Sequence, residues 1–269
     1  MPVFGATRVP GLPISPPFAP GARMGSMLET LLSSLLAGWA LLSTPSPESP
    51  AGPISIEDLG PVPGDTLRVF LVRHAQAYSN LEPRPKLPPE ELDRLTDAGR
   101  EAARSLAEAL ARRKVDVVLT SPAHRAQQTA DEIRKAAGAA ELRVEARLRP
   151  MELGRSGSGE ALDWSARLAE WSAGRDPAPP GGESMQQVAA RVMELLGSLK
   201  KEKAGRTVVL VSHSEVASAL LGHLRGTPPA RRVSESVRLG SLTLLEWGAA
   251  PAPELRLVDF VLDPRPPRP

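Results

Sequence analysis

TVVLVSHSEVASALLGHL, residues 207–224, is the stretch whose reading decides the fold. Val208, Val209, Leu210 and Val211 form an unbroken β-branched and aliphatic run, the pattern of a strand buried on both faces. Ser212-His213 ends that run with polar side chains. From Ser214 to Leu224 the apolar residues return at helical spacing. A buried strand passing directly into a helix is the βα half of a βαβ unit, and such units build parallel sheets.

The same alternation extends upstream. Residues 67–72 (LRVFLV) are a second apolar strand, leading into Arg73-His74. Residues 96–113 read as a helix with Thr96 as its N-cap. Residues 115–119 (VDVVL) are a short strand, after which Ser121-Pro122 is expected to open a helix reaching about residue 137, Ser as cap and Pro in the first turn. Residues 141–147 alternate like a strand, and 162–172 read as a helix around Trp164, Leu168 and Trp171. Pro177, Pro179 and Pro180 interrupt the chain before Gly181-Gly182-Glu183-Ser184. Ser184 and Gln187 then form a capping box for a helix to about residue 201. Downstream, 242–245 and 255–261 read as late strands. The expected fold class is α/β, a three-layer α/β/α sandwich with a mainly parallel sheet covered on both faces.

Composition divides the chain of 269 residues into a middle and two irregular ends. The 29 prolines crowd residues 2–66 and the tail from Pro251, so residues 1–66 read as a Pro-rich leader and linker, 67–263 as the main globular domain and 264–269 as a tail. Residues 31–42 (LLSSLLAGWALL) are apolar but short for a membrane span. They fit an export signal or an unexceptional leader equally well, so cytoplasmic and exported locations both stand, and membrane association is expected only if this run is retained as an anchor. Net charge is +2, which supplies no bulk field for nucleic acid or an anionic membrane. The absence of cysteine removes disulfides, thiol nucleophiles and thiolate metal sites.

In open α/β sheets ligands bind beyond the carboxyl ends of the strands, where helix N-termini face them. Three strands here end in suggestive residues: Arg73-His74, Ser121 followed by Arg125, and Ser212-His213. In a parallel arrangement these bring two histidines and two arginines to one edge. Neutral imidazole attacks phosphorus well, and arginine forks neutralise phosphoryl oxygens at any working pH. The pattern therefore points to phosphoryl chemistry on a small phosphorylated substrate, with no metal or cofactor demanded. No G-x-G-x-x-G follows the first strand, which sets a dinucleotide site aside. His124 and His223 read as helix-surface residues, and Trp164 and Trp171, seven apart, as packing or as a wall of the pocket.

These residues resemble the histidine phosphatase superfamily, which includes phosphoglycerate mutases and many small-molecule phosphatases. The likeness runs from about residue 67 to 225 through LVRHAQAYSN, LTDAGREAARSLAEAL, TSPAHRAQQTA, GGES and VVLVSHSEVASALL, five blocks in order. It implies a phosphoglycerate mutase-like fold with His74 as phosphoryl acceptor. Arg73, Arg125 and His213 are expected to line the phosphate pocket, with Asn80 and Gln76 against the substrate. Two positions depart from the pattern. Ala75 stands where the family has Gly, and Pro150 stands where many members carry the acid Glu, with Glu152 two residues late. Glu152, Glu215 or water are the candidates to protonate the leaving group. The expected function is a metal-independent phosphomonoesterase. A phosphohistidine phosphatase acting on proteins, a phosphoglycerate-type mutase and a non-catalytic phospho-ligand binder are the alternatives.

Overall fold

The computed structural model describes residues 56, 59–138 and 141–261. The readings of the apolar run 31–42 and of the tail 264–269 lie outside the described residues. Strands β1 (Leu67–Arg73), β2 (Val117–Thr120), β3 (Glu141–Val144), β4 (Thr207–Ser212), β5 (Leu242–Trp247) and β6 (Glu254–Phe260) form one sheet in the order β3-β2-β4-β1-β5-β6. Helices α1 (Asp97–Ala111), α2 (His124–Ala137), α3 (Trp164–Ser172), α4 (Met185–Lys203) and α5 (Ser214–Leu224) connect or cover it.

The α/β layers follow from the apolar interiors of β1, β2 and β4. Phe70, Val72, Val118, Val209 and Val211 face one way and pack on Leu106 and Leu110 of α1 and Ile133 of α2. Their neighbours Val69, Leu71, Leu119, Val208 and Leu210 face the other way, into Val188, Val192 and Leu195 of α4 and Leu220 of α5. Each such buried aliphatic side chain contributes roughly 1.5–3 kcal/mol of transfer free energy. Both faces being dry is what turns period-two alternation into a continuous apolar run.

Pairings β3–β2, β2–β4 and β4–β1 are parallel, while β1–β5 and β5–β6 are antiparallel. The sheet is therefore mixed at the β5–β6 side. Residues 248–253 are too short a connection for a crossover, so the last two strands must form an antiparallel pair.

Three sequence readings are corrected. The second helix starts at His124 with extended Ala123 as its N-cap, not at Ser121-Pro122; the Ser121 hydroxyl oxygen accepts Ala123 N–H at 3.2 Å and lies 2.7 Å from His213 Nε2. The strand read over 141–147 ends at Val144, and Ala146–Leu148 is a 3-10 turn whose first N–H groups are met by Glu145. Within the stretch read as linker, Ile56 is buried and Leu59 packs on the same core, so the compact unit begins before Leu67.

Candidate active site

Register brings the site together. Arg73 pairs with Ser212 across β1–β4, and Thr120 with Val211 across β2–β4, so the three strands end level. The residues that follow are fixed by main-chain bonds: His74 N–H to Ser212 O and Ser121 N–H to Val211 O, both 2.9 Å. His74, Ser121 and His213 thus stand side by side at the carboxyl edge. The α5 N-terminus begins at once after His213.

Arg125, in the first turn of α2, joins the two imidazoles. Its Nε donates to His74 Nε2 at 3.1 Å and its Nη2 to His213 Nδ1 at 3.1 Å. A guanidinium only donates, so both of these ring nitrogens are lone-pair acceptors. The protons then lie on the opposite nitrogens. His74 Nδ1–H donates to Ala75 O at 2.8 Å, and His213 Nε2–H donates to Ser121 Oγ at 2.7 Å. The ring centroids are 5.2 Å apart. Asp93 holds the third corner of the guanidinium through Oδ1 and caps the start of α2 through Oδ2, which accepts His124 N–H at 2.7 Å.

Electrostatics keep both rings neutral. Burial pushes the His74 pKa down to about 3, and the Arg125 charge adds to that. His213 is lowered well below its ordinary value by burial, then by Arg125 and His74. A neutral, oriented imidazole with a lone pair on Nε2 is the form competent for nucleophilic attack.

Arg73 supplies a second cation. Its Nη1 donates to Val237 O at 2.6 Å, and its Nε–H is buried without a partner among the described residues. Its pKa is lowered chiefly by burial, an effect that the nearby Glu215 carboxylate opposes. Arg73 lines a cavity of about 420 Å³ together with Trp164, Ser214, Glu215, Ser218 and Ser236. Trp164 is partly exposed at its wall, whereas Trp171 is buried and meets Trp164 edge-on at 5.3 Å. Packing and pocket wall, the two readings of this pair, thus fall to different tryptophans. A cavity of about 470 Å³ lies at the opposite, amino end of the strands, but its buried Arg68 is already bonded to Glu246 and Gly60 O and no histidine lines it.

The remaining expected residues are placed as follows. Ala75, in the family's Gly position, is buried and its N–H donates to Thr129 Oγ1 at 3.1 Å. Asn80 Oδ1 accepts Ala77 N–H at 3.0 Å, and Gln76 Oε1 accepts the Thr96 hydroxyl at 2.8 Å. Glu152 is exposed, and its bonds to Glu183 run through its main chain. Glu183 of GGES is a brace: its carboxylate takes Arg149 at 2.9 Å and Arg191 at 2.8 Å, and Arg191 in turn holds Arg149 O. His124 is exposed, and its main chain, not its ring, meets Asp93. Among the described residues no three His, Asp or Glu side chains gather as a metal site.

Sequence reasoning missed Asp93 and read Ser121 as a cap. No local signal marks Asp93. For Ser121, its place directly after a buried strand, matching His74 and His213, was the available clue.

Comparison with known proteins finds relatives in sequence and in fold. A family model described as histidine phosphatase superfamily (branch 1) matches residues 69–258. A probable phosphoglycerate mutase GpmB of Photorhabdus laumondii is 28% identical over 192 residues, spanning 69% of this chain and 87% of its own. The solved mycobacterial glucosyl-3-phosphoglycerate phosphatase is 28% identical with a TM-score of 0.57, covering 72% of this chain and 99% of that one. A phosphoserine phosphatase of Entamoeba histolytica shares the fold, with a TM-score of 0.60 at 21% identity over 72% of this chain and 98% of its own.

Proposed function

Because the chain belongs to branch 1 of the histidine phosphatase superfamily, we propose that it hydrolyses phosphomonoesters through a phosphohistidine on His74. One observation carries the reading: His74 donates Nδ1–H to Ala75 O and turns an unprotonated Nε2 toward Arg125. The ester phosphate takes the place of the His74 lone pair as partner of Arg125, and its oxygens draw on Arg125 and Arg73, and on His213 Nε2–H in exchange for Ser121 Oγ. As Nε2 attacks phosphorus, charge spreads over the equatorial oxygens and these donors stabilise it. Water then attacks the phosphohistidine, phosphate leaves, and Nε2 regains its lone pair. The cavity beside Arg73 supports an ester whose alcohol offers hydroxyls to Ser214, Ser218 and Ser236 and an apolar face to Trp164.

The mutase reading draws on the named GpmB relatives. It requires the phosphoryl group to pass from His74 to a second hydroxyl faster than to water. Hydrolysis is the simpler outcome for an edge that carries both cations and an open cavity.

The test is p-nitrophenyl phosphate hydrolysis by the full chain, with chelator present and His74→Ala beside it. Turnover that survives the chelator and disappears in the variant is expected, with the variant still folded. Equal rates for both proteins would make a phospho-ligand-binding role the better reading.

A further inference from the structure

Pro150 occupies the position where the resemblance leads one to expect a carboxylic acid, and it has no proton to give. The structure brings a carboxylate to the same place from a different element. Glu215, in the first turn of α5, accepts the N–H of Met151, the residue after Pro150, through Oε1 at 3.3 Å. It also lines the cavity that holds Arg73, Trp164 and Ser236. Glu152, the nearer candidate in sequence, is exposed and does not line that cavity.

We propose that Glu215 is the catalytic residue that protonates the departing alcohol oxygen. The assignment rests on the phosphatase reading of His74. In the first step the His74 Nε2–phosphorus bond forms and the phosphorus–oxygen ester bond breaks. Glu215 takes up a proton from solvent as the phosphate dianion binds; the departing oxygen takes that proton and leaves as the neutral alcohol, so Glu215 ends as carboxylate. In the second step that carboxylate takes a proton from water as the water oxygen attacks phosphorus. The nitrogen–phosphorus bond breaks, phosphate departs, and Glu215 is again protonated. Donor and acceptor roles close over the cycle with no other reactant. Helix α5 therefore serves twice, directing its N-terminus at the phosphate and its first-turn carboxyl at the leaving group.

Glu215→Gln isolates this role, because the amide oxygen still accepts from Met151 while the transferable proton is lost. The full chain and the variant are compared on glycerol 2-phosphate, whose alkoxide is a poor leaving group, and on p-nitrophenyl phosphate, whose phenolate needs little help. The variant is expected to lose about a hundredfold or more in kcat/KM on the glycerol ester and no more than about threefold on the aryl ester. The aryl ester also reports that the variant is folded with its phosphate pocket intact. Equal losses on the two esters would show that Glu215 merely positions the loop, and an unchanged glycerol rate would show that it transfers no proton; either overturns the assignment. Absence of His74-dependent turnover of both esters by the unmodified chain is a different failure, that of the phosphatase reading itself, and removes the assignment with it.

Discussion

At the scale of single residues, the account rests on two imidazoles held neutral inside the protein. His74 has a pKa of about 3 in the fold against 6.5 for an unperturbed ring, and His213 is shifted the same way. Unfolding releases both rings to take up protons between those values. The unfolded state therefore binds more protons in that window, and stability falls as pH drops below 6.5. Above 6.5 the contribution is fully present. Carboxylates such as Glu145, with its ordinary value at 4.5, act only at lower pH, so the upper part of the window reports on the histidines. Thermal midpoints measured between pH 7 and 5 should fall for the unmodified chain and fall less steeply for His74→Ala. Identical slopes would mean that His74 binds protons equally in the folded and unfolded states, its pKa unshifted by the fold. Residue identity at this scale was largely legible, since His74, Arg73, Arg125 and His213 each follow or face a readable strand end. Asp93 and Ser121 acquire meaning only through partners 32 and 92 positions away, and no local pattern records such contacts; Glu215, named in the sequence beside Glu152, is separated from it by the contact with Met151, 64 positions away.

At the scale of elements, α1 is fastened to the loop that follows His74. Thr96 caps the helix by accepting Gly99 N–H at 2.9 Å, and its hydroxyl donates to Gln76 Oε1 at 2.8 Å. Thr96 N–H also donates to Gln76 O at 3.0 Å. Gly99 is the contact point, because a Cβ there would sit on the Gln76 carbonyl oxygen. Gly99→Ala must push the His74–Gln76 backbone away, at a cost of about 1–3 kcal/mol, and should lower turnover as well as stability. Gly197→Ala in α4, where nothing lies within 4 Å, should instead stabilise by roughly 0.5–1 kcal/mol with turnover unchanged. Denaturant midpoints and p-nitrophenyl phosphate rates of the two variants decide the matter; a Gly99→Ala protein as stable and active as Gly197→Ala would contradict the coupling. Element identity was readable wherever caps were local, as with Thr96 and the Ser184–Gln187 box, both of which the structure contains. The start of α2 was misplaced because Ser121, a good cap by type, accepts Ala123 N–H and faces His213, while the helix begins only at His124.

At the scale of the whole molecule, a mixed sheet gathers on one edge what the sequence spreads from Arg73 to Glu215. Continuous aliphatic strands announced a sheet covered on both faces, and that much of the architecture was legible. Strand direction at β5 and β6 was not, since alternation of apolar residues is the same read either way along a strand. On the proposed mechanism the edge divides the labour: the end of β1 supplies nucleophile and cation, α2 the bridging guanidinium, β4 and α5 the second imidazole and the leaving-group carboxyl. The central claim is that phosphorus becomes bonded to His74 Nε2 during turnover. Rapid mixing of the full chain with a radiolabelled phosphomonoester, quenching in base and mapping the label test it directly. The account predicts a phosphoryl group on the peptide containing His74, stable to base, lost in acid and absent from His74→Ala. Steady turnover with no label on His74 at any mixing time would contradict it and place the attack on water instead.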